Sequence, residues 1–260
     1  MDRGVATQGA TRVAIVGAGY AGMAAAASLA AKKVPVTVFE AGPLPGGRAR
    51  RVNSQGIALD NGQHILVGAY TELFRMMDVV GVAPAALLRV ALDVRYAEGF
   101  HFRRAALPRP FDLAAGLLTA RGIALSERVS AACFMRALQR TGFQLDADIP
   151  VSELLRRHRQ TGRLAHFLWQ PLCISALNTP PELASARVFL AVLRDTLAGA
   201  SRASDLVLPR VDLSQLFPEP AAAFIAAHGG EIRLQSPVRE LAALRQSFNR
   251  IIVAVGPHQL

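Results

Sequence analysis

Lysine is nearly missing from this chain, because only Lys32 and Lys33 occur among its 29 lysine and arginine residues. This imbalance points to a bias of genomic composition rather than to functional selection. The 19 acidic residues leave a net charge of +10 at pH 7, and a basic protein can attract nucleic acid or anionic lipid. The arginines are scattered, however, and no helix-turn-helix, zinc-finger or RNA-binding aromatic motif occurs. We therefore expect no nucleic-acid partner.

Cysteine is equally scarce. Cys133 and Cys173 stand alone, at a spacing that matches neither a metal site nor a redox motif, so we expect no metal. Two isolated cysteines suit a reducing compartment, and residues 1–10 lack the charged-then-apolar pattern of a signal peptide. We therefore expect a cytoplasmic protein. Peripheral contact with the inner face of the cytoplasmic membrane is left open.

Uncharged stretches long enough to cross a bilayer are also rare. Residues 13–31 form one, but its patterned glycines divide it into strand, turn and helix, so we expect no membrane span there. A hydrophobic content of 52% excludes disorder as the main state. The length of 260 residues allows one large domain or two small ones.

A glycine-rich turn follows the first predicted strand, and a second strand ends in an acid. Gly17 is expected to allow the tight turn, Gly19 to let backbone approach a pyrophosphate, and Gly22 to let the helix pack closely. The helix N-terminus offers N–H groups and a positive dipole end to phosphates. Glu40 stands where a carboxylate accepts from both ribose hydroxyls, which disfavours NADP. The pattern predicts a dinucleotide site, FAD or NAD, made by Gly17, Ala18, Gly19, Tyr20, Ala21, Gly22, Glu40 and Ala41.

A second glycine pair follows the acid. Two glycines allow close approach, and the arginine after them supplies a fork for phosphate oxygens. The stretch from Glu40 to Arg48 resembles the E-A-x(n)-G-G-R segment of the flavin-dependent amine oxidase and phytoene desaturase superfamily, which lies against the FAD diphosphate and flavin. The resemblance implies FAD as the cofactor, with Gly46, Gly47 and Arg48 in its site. A solvated loop arginine is the alternative for Arg48, since Arg50 and Arg51 follow it.

The segment Asp60-Asn61-Gly62-Gln63-His64 has turn chemistry and leads into an apolar run. In the same superfamily the equivalent loop lies beside the isoalloxazine ring. The resemblance therefore implies that Gly62, Gln63 and His64 lie near the flavin. Asn61-Gly62 is equally typical of a plain turn.

The middle of the chain has mostly helical patterns. We predict strands over 90–102 around a Glu98-Gly99 turn, and helices over 71–80, 113–118, 126–140, 151–159 and 182–197. The helix over 151–159 carries a run of arginines, which suits an anionic bilayer as well as a solvated face. Strand patterns return at 231–234 and 251–255.

These patterns together predict an α/β fold, with a Rossmann-like FAD/NAD(P)-binding domain that a largely helical lobe interrupts. We expect residues 1–70 and 219–260 to form the FAD-binding domain. Residues 71–218 are expected to form the substrate-binding lobe.

The stretch from Trp169 to Glu182, W-Q-P-L-C-I-S-A-L-N-T-P-P-E, resembles the W-x-P-L-x-x-x-x-L-N-T-P segment of the hydroxysqualene dehydroxylases. These are FAD-dependent, desaturase-like proteins of bacterial hopanoid synthesis. Residues 184–195, 203–210 and 60–64 are similar to the same family, and the similarity extends from about residue 12 to 258. The resemblance implies that reduced FAD removes the allylic hydroxyl of an isoprenoid, hydroxysqualene, to give squalene. It also implies that the backbone of Val238 holds the adenine. The electron donor is not identified.

Expelling hydroxide requires an acid that protonates the leaving oxygen, and an apolar tunnel that excludes water. Asp60 and His64 are the candidate catalytic residues. The alternatives are a carotenoid-type or phytoene-type desaturase, an amine oxidase of the same fold, or a non-catalytic flavin-binding fragment. Chains of the family are longer than this one, so we expect the fold to be incomplete at its C-terminus, which leaves FAD binding and activity of this chain open.

Overall fold

The computed structural model describes residues 11–62, 64–107, 111–199, 202–256 and 259. The strands are β1 (Val13–Val16), β2 (Val36–Phe39), β3 (Arg51–Ser54), β4 (Ile57–Asp60), β5 (Leu66–Val67), β6 (Leu87–Val90), β7 (Asp93–Arg95), β8 (His101–Arg103), β9 (Leu206–Pro209), β10 (Glu231–Arg233) and β11 (Arg250–Val253). The α-helices are α1 (Tyr20–Ala31), α2 (Thr71–Val79), α3 (Phe111–Thr119), α4 (Leu125–Arg140), α5 (Val151–Arg157), α6 (Gln170–Leu177), α7 (Ala186–Leu193), α8 (Leu213–Leu216), α9 (Pro218–Ala227) and α10 (Leu241–Leu244).

The chain divides into two compact units. Unit 1 comprises Met1–Leu66, Tyr70–Leu88 and Leu208–Leu260, and unit 2 comprises Val67–Ala69 and Arg89–Val207. The assignment of a cofactor domain and a substrate lobe to these parts of the chain stays a prediction.

A parallel four-stranded sheet in the order β10-β2-β1-β11 forms the centre of unit 1. All four residues of β1 and all four of β2 are buried, as expected for parallel strands that are covered on both faces. Helix α1 packs against α9 in the same unit. The local pattern of strand, turn, helix and strand was therefore read correctly.

Unit 2 is built mainly from helices around one aromatic-rich core. Phe134, Trp169 and Phe189 are at most 1% exposed, and the rings of Phe134 and Trp169 meet edge to face with centroids 5.6 Å apart. The indole N–H of Trp169 donates to Gln160 Oε1 at 2.9 Å, so this buried donor is satisfied. Trp169 is a packing residue of this core.

The prediction of a helix over 182–197 is wrong at its start. Helix α7 begins at Ala186, and the hydroxyl of Ser185 caps it by accepting from the N–H of Val188. The carbonyls of Pro181 and Ala184 accept instead from backbone N–H groups at the start of α5. Tertiary pairing therefore holds this segment out of the helix, although proline is tolerated in a first helical turn.

The predicted basic helix is shorter than expected. Helix α5 ends at Arg157, and Arg159 adopts a left-handed conformation with φ of 54°. Arg156 and Arg157 each place Nε 2.8 Å from the carboxylate of Glu153. Much of the positive charge expected for a bilayer-facing helix is therefore paired within the helix itself.

Candidate cofactor site

Two glycines of the turn after β1 are required by the packing of the chain itself. Gly17 has a φ of 102°, and a Cβ there would lie 2.7 Å from the carbonyl oxygen of Ala254. A Cβ on Gly22 would lie 1.9 Å from the carbonyl oxygen of Gly17. Gly22 thus allows the helix to approach the turn as well as the sheet.

Gly19 differs from these two glycines. Its φ of −69° is accessible to any residue, and a Cβ at this position would have nothing within 4 Å. Gly19 therefore faces open space, and the packing of the described chain does not require a glycine there. The space in front of Gly19 is where a pyrophosphate is expected in a dinucleotide fold.

The N-terminus of α1 opens beside Gly19. The first backbone bond of the helix runs from the N–H of Met23 to the carbonyl of Gly19, so the N–H groups of Tyr20, Ala21 and Gly22 have no partner within the helix. No side chain of the described residues caps this end, and its first turn carries no acid. A phosphate can take these donors and the positive end of the helix dipole.

Glu40 is fixed at the carboxyl end of β2. Its Oε2 accepts from the N–H of Ala18 at 2.8 Å, and its Oε1 accepts from the N–H of Gly42 at 2.8 Å. Each oxygen keeps a further lone pair for a ligand hydroxyl. Ala41, which lies between Glu40 and Gly42 in sequence, is exposed.

The second glycine pair packs directly on the first glycine turn. The N–H of Gly46 donates to the carbonyl of Ala18 at 2.8 Å, and Gly46 and Gly19 form a parallel bridge. Gly47 has a φ of 61°, and a Cβ there would lie 3.2 Å from the Cα of Gly19. Both glycine segments predicted from the sequence therefore border the same space.

Arg48 follows this pair and is exposed. Its carbonyl accepts from the side-chain amide of Asn61 at 3.0 Å. Within the described part of the chain its guanidinium has no hydrogen bond or ion pair. It is therefore available to a ligand, although a solvated loop arginine has the same appearance.

The side chain of Tyr20 is engaged within the protein and is not left for a nucleotide. Its hydroxyl donates to the carbonyl of Leu213 at 2.9 Å, and its ring lies against Phe217. Burial, followed by the nearby charges of Asp60 and Asp212, raises the pKa of Tyr20 well above its ordinary value. The contribution of Tyr20 to a nucleotide is thus expected from its backbone N–H.

Asp60, a candidate catalytic residue, is tied to the same backbone position. Its Oδ1 accepts from the N–H of Leu213 at 2.8 Å. Leu213 is therefore held at its N–H by Asp60 and at its carbonyl by Tyr20. A catalytic role for Asp60 stays a prediction. Its structural role is to hold the backbone of Leu213.

Other predicted site residues are less constrained. Gly62 adopts a φ of 87°, and its carbonyl lies 3.1 Å from Nδ1 of His64. Gln63 lies outside the described residues. Val238 is partly buried and packs against the small cluster of Ala14, Phe39 and Phe248. The roles assigned to these residues stay predictions.

The sequence analysis missed the network around Arg51. Its Nη1 lies 2.9 Å from Asp212 Oδ2 and its Nη2 lies 2.9 Å from Glu219 Oε1. Asp212 in turn caps α8 by accepting from two backbone N–H groups. The partners of Arg51 are more than 160 residues away in sequence, so no local signal could have identified them.

Comparisons with known proteins place this chain in a family. The profile of the flavin containing amine oxidoreductases matches residues 20–256. A hydroxysqualene dehydroxylase from Sinorhizobium fredii is 26% identical over 258 residues, and the match covers 94% of this chain and 59% of the relative. Two further hydroxysqualene dehydroxylases, from Zymomonas mobilis and Rhodopseudomonas palustris, are 25% and 28% identical. A probable zeta-carotene desaturase from Synechococcus elongatus is 25% identical, over 88% of this chain and 51% of its own length.

A solved structure has the same fold. An oxidoreductase from Methanosarcina mazei superimposes with a TM-score of 0.60 at 16% identity, covering 86% of this chain and 51% of its own. This likeness supports the predicted Rossmann-like α/β fold.

The chain belongs to the flavin containing amine oxidoreductases, a family of FAD-dependent oxidoreductases. FAD is accordingly its cofactor, as predicted. The resemblance to the hydroxysqualene dehydroxylases is confirmed as a similarity, and the chain spans 54–59% of the length of those three relatives. Within the described residues, no helix is long and apolar enough to cross a membrane.

Proposed function

We propose that this chain supplies the FAD-binding part of an oxidoreductase that removes the allylic hydroxyl of hydroxysqualene to give squalene. The observation that carries the proposal is the similarity to three hydroxysqualene dehydroxylases over 87–94% of the chain. The Trp169–Glu182 segment supports the same substrate class, because it resembles a segment of that family.

The residues around Gly19 fit FAD. The open space at Gly19 and the free N–H groups at the start of α1 suit its diphosphate. Glu40, held by two backbone N–H groups, suits the ribose hydroxyls. Gly46 and Gly47 border the same space from the other side. Arg48 follows them, and its guanidinium has no partner among the described residues.

FAD, when bound and reduced, supplies the hydride for this chemistry. The protein then has to protonate the departing hydroxyl and exclude water. If Nδ1–H of His64 donates to the carbonyl of Gly62, the opposite nitrogen, Nε2, is left to hand a proton to a ligand when the ring is charged. His64 is therefore the better candidate acid, since Asp60 already accepts a backbone hydrogen bond.

A carotenoid-type desaturase is the second candidate. The match to the probable zeta-carotene desaturase covers 88% of this chain, and both reactions use an isoprenoid and a flavin. The two candidates differ in direction, since a desaturase oxidises its substrate and the dehydroxylase reduces it.

The first experiment is a visible absorption spectrum of the purified 260-residue chain, before and after addition of FAD. We expect a protein-bound flavin band that survives gel filtration. The chain is then reduced chemically without oxygen and incubated with hydroxysqualene, while the oxidised chain is incubated with phytoene.

Squalene as the product supports the proposal, and dehydrogenated phytoene supports the desaturase. If flavin is bound and neither product forms, this chain is a flavin-binding fragment without catalytic activity of its own. Folded protein without bound flavin contradicts the proposal that this chain supplies the FAD-binding part.

A further inference from the structure

Unit 2 contains a cavity that the proposed function does not use. Its volume is about 560 Å³, and among the described residues it is lined by His101, Arg103, Arg104, Thr119, Arg121 and three alanines. No carboxylate belongs to this described lining. A pocket of this size accommodates a small ligand, and its charged groups are all cationic or able to become so.

The strand register explains why these cations share one face. His101 and Arg103 are two residues apart on β8, so their side chains lie on the same side of the strand, opposite the buried Phe102. Arg121 pairs with His101 through two backbone hydrogen bonds of 2.8 and 3.2 Å. Residues directly opposite in an antiparallel bridge face the same way, and Arg121 therefore joins this face.

A close backbone contact fixes the position of Arg121. The next residue, Gly122, has a φ of 75°, and a Cβ there would lie 2.4 Å from the carbonyl oxygen of Gly99. The turn at Gly99 and the bridge at Arg121 are thus packed directly together. The backbone of Arg121 is therefore held on one side by its bridge to His101 and on the other by the packing of Gly122.

One carboxylate on this face, Asp93, already has several partners. It lies 2.9 Å from Arg95, 3.1 Å from His101 and 3.8 Å from Arg103. The hydrogen bond from Arg95 is the largest cause that lowers the pKa of Asp93. One negative charge therefore faces two arginines and a histidine, and it leaves the face with an excess of positive charge.

Arg104 belongs to the cavity lining, and only 14% of its side chain is exposed. Its Nη2 lies 2.6 Å from Asp205 and its Nη1 lies 3.5 Å from Asp112. Its Nε is buried without a hydrogen-bond partner among the described residues. Two carboxylates thus hold the guanidinium in place, while one donor is left unused.

Arg121 is the remaining arginine of the described cavity lining. Its guanidinium makes no hydrogen bond or ion pair within the part of the chain that the structure describes. Arginine side chains suit phosphate, because guanidinium donors match phosphate oxygens.

We propose that this cavity binds the phosphate groups of a small organic phosphate or of a lipid headgroup. Arg121 and Arg103 supply the adjustable donors, and Arg104, whose charge is balanced by Asp112 and Asp205, contributes a fixed part of the wall. The site is independent of the FAD site and of the proposed reaction.

Calorimetric titration of the full chain with inorganic pyrophosphate tests this proposal. We expect saturable binding that weakens with added salt. Arg121→Gln and Arg103→Gln are each expected to weaken it about tenfold, as for the loss of one charge-assisted contact. Arg136→Gln is the matched control, because Arg136 is an exposed arginine of α4 outside the described lining.

The comparison of variants locates the binding, since the glycine turn of unit 1 is also expected to take phosphate. Arg104 is left unchanged in this series because its loss would leave Asp112 and Asp205 buried without it. A parallel titration with a soluble short-chain phosphatidic acid distinguishes the sources. Tighter binding of the lipid, still dependent on Arg121, identifies a headgroup site, and equal binding identifies a free phosphate site. Absence of binding by both ligands, or an equal loss in Arg136→Gln, would overturn the proposal.

Discussion

The carboxylate of Glu40 accepts a hydrogen bond from the backbone N–H of Ala18, with 2.8 Å between Oε2 and nitrogen. This contact joins the end of β2 to the glycine turn that follows β1. It places the acid beside the open space at Gly19, so the ribose-binding and phosphate-binding parts of the predicted site form one continuous surface.

Glu40→Gln is expected to weaken FAD binding about tenfold or more. The amide retains one acceptor oxygen, so one of the two backbone contacts and the negative charge are lost. Flavin titration followed by absorbance measures the change. Glu231→Gln is the control, since Glu231 is an exposed carboxylate of β10 in the same unit. Equal affinities for the two variants would contradict the role given to Glu40.

Gly19→Ala is expected to affect mainly FAD binding, whereas Gly22→Ala is expected to affect mainly the stability of the fold. Alanine at Gly19 meets open space, so the free energy of unfolding should change by about 1 kcal/mol or less, while FAD binding weakens. Alanine at Gly22 meets the carbonyl of Gly17 at 1.9 Å and should destabilise the chain by about 1–3 kcal/mol or more. Denaturant unfolding and flavin titration of both variants check the prediction. A Gly19→Ala chain that binds FAD normally would remove the assigned phosphate position.

Arg48→Gln and Arg51→Gln separate ligand binding from structure. The guanidinium of Arg48 has no partner among the described residues, so its substitution should lower FAD affinity without changing the melting temperature. Arg51 holds Asp212 and Glu219, and its substitution should lower the melting temperature by a few degrees. Thermal unfolding and flavin titration report the two effects. If Arg48→Gln leaves affinity unchanged, Arg48 is a solvated loop residue.

His64→Ala is expected to lower conversion of hydroxysqualene to squalene by at least about a hundredfold while FAD binding is retained, if His64 is the acid of the proposed reaction. His228→Ala is matched to it, because Nδ1 of His228 also lies against a backbone carbonyl, that of Phe224, at 2.8 Å. Product formation under reducing conditions is measured for both. Unchanged turnover in His64→Ala removes this residue from the mechanism.

The ion pairs of Glu153 should make the stability of the folded chain decrease as the pH is lowered. Hydrogen bonds from Arg156 and Arg157 lower the pKa of Glu153 from 4.5 to about 2. The folded state therefore favours the charged carboxylate, so the stabilisation is full above the unfolded pKa and is lost as pH falls from 4.5 towards 2.

The denaturation midpoints of the wild-type chain and Glu153→Gln should accordingly differ at neutral pH and converge in acid. Glu182→Gln serves as the control, since no ion pair of Glu182 is found in the described part of the chain. A difference that does not depend on pH would count against the ion pairs of Glu153.

Several elements could be predicted because their signals are local. The glycine turn and helix α1 follow from backbone requirements within about 30 residues, and Gly46 pairs with that turn; the part of these residues in a cofactor site stays a prediction. The helix over 182–197 was misplaced because the carbonyls of Pro181 and Ala184 pair with the start of α5. Sequence patterns report what a segment can adopt alone, and this pairing is a property of the folded chain.

The sequence alone predicts the parallel α/β unit, its glycine-rich turn and the resemblance to a flavoenzyme family, because glycine spacing and hydrophobic runs restrict backbone conformation locally. Tertiary structure alone decided which distant groups meet. Arg51 finds Asp212 across 161 residues, and the backbone of His101 meets that of Arg121 to gather the cations of unit 2. Such contacts depend on the path of the whole chain. Many residues carry charges of opposite sign, and only the fold decides which of them come together.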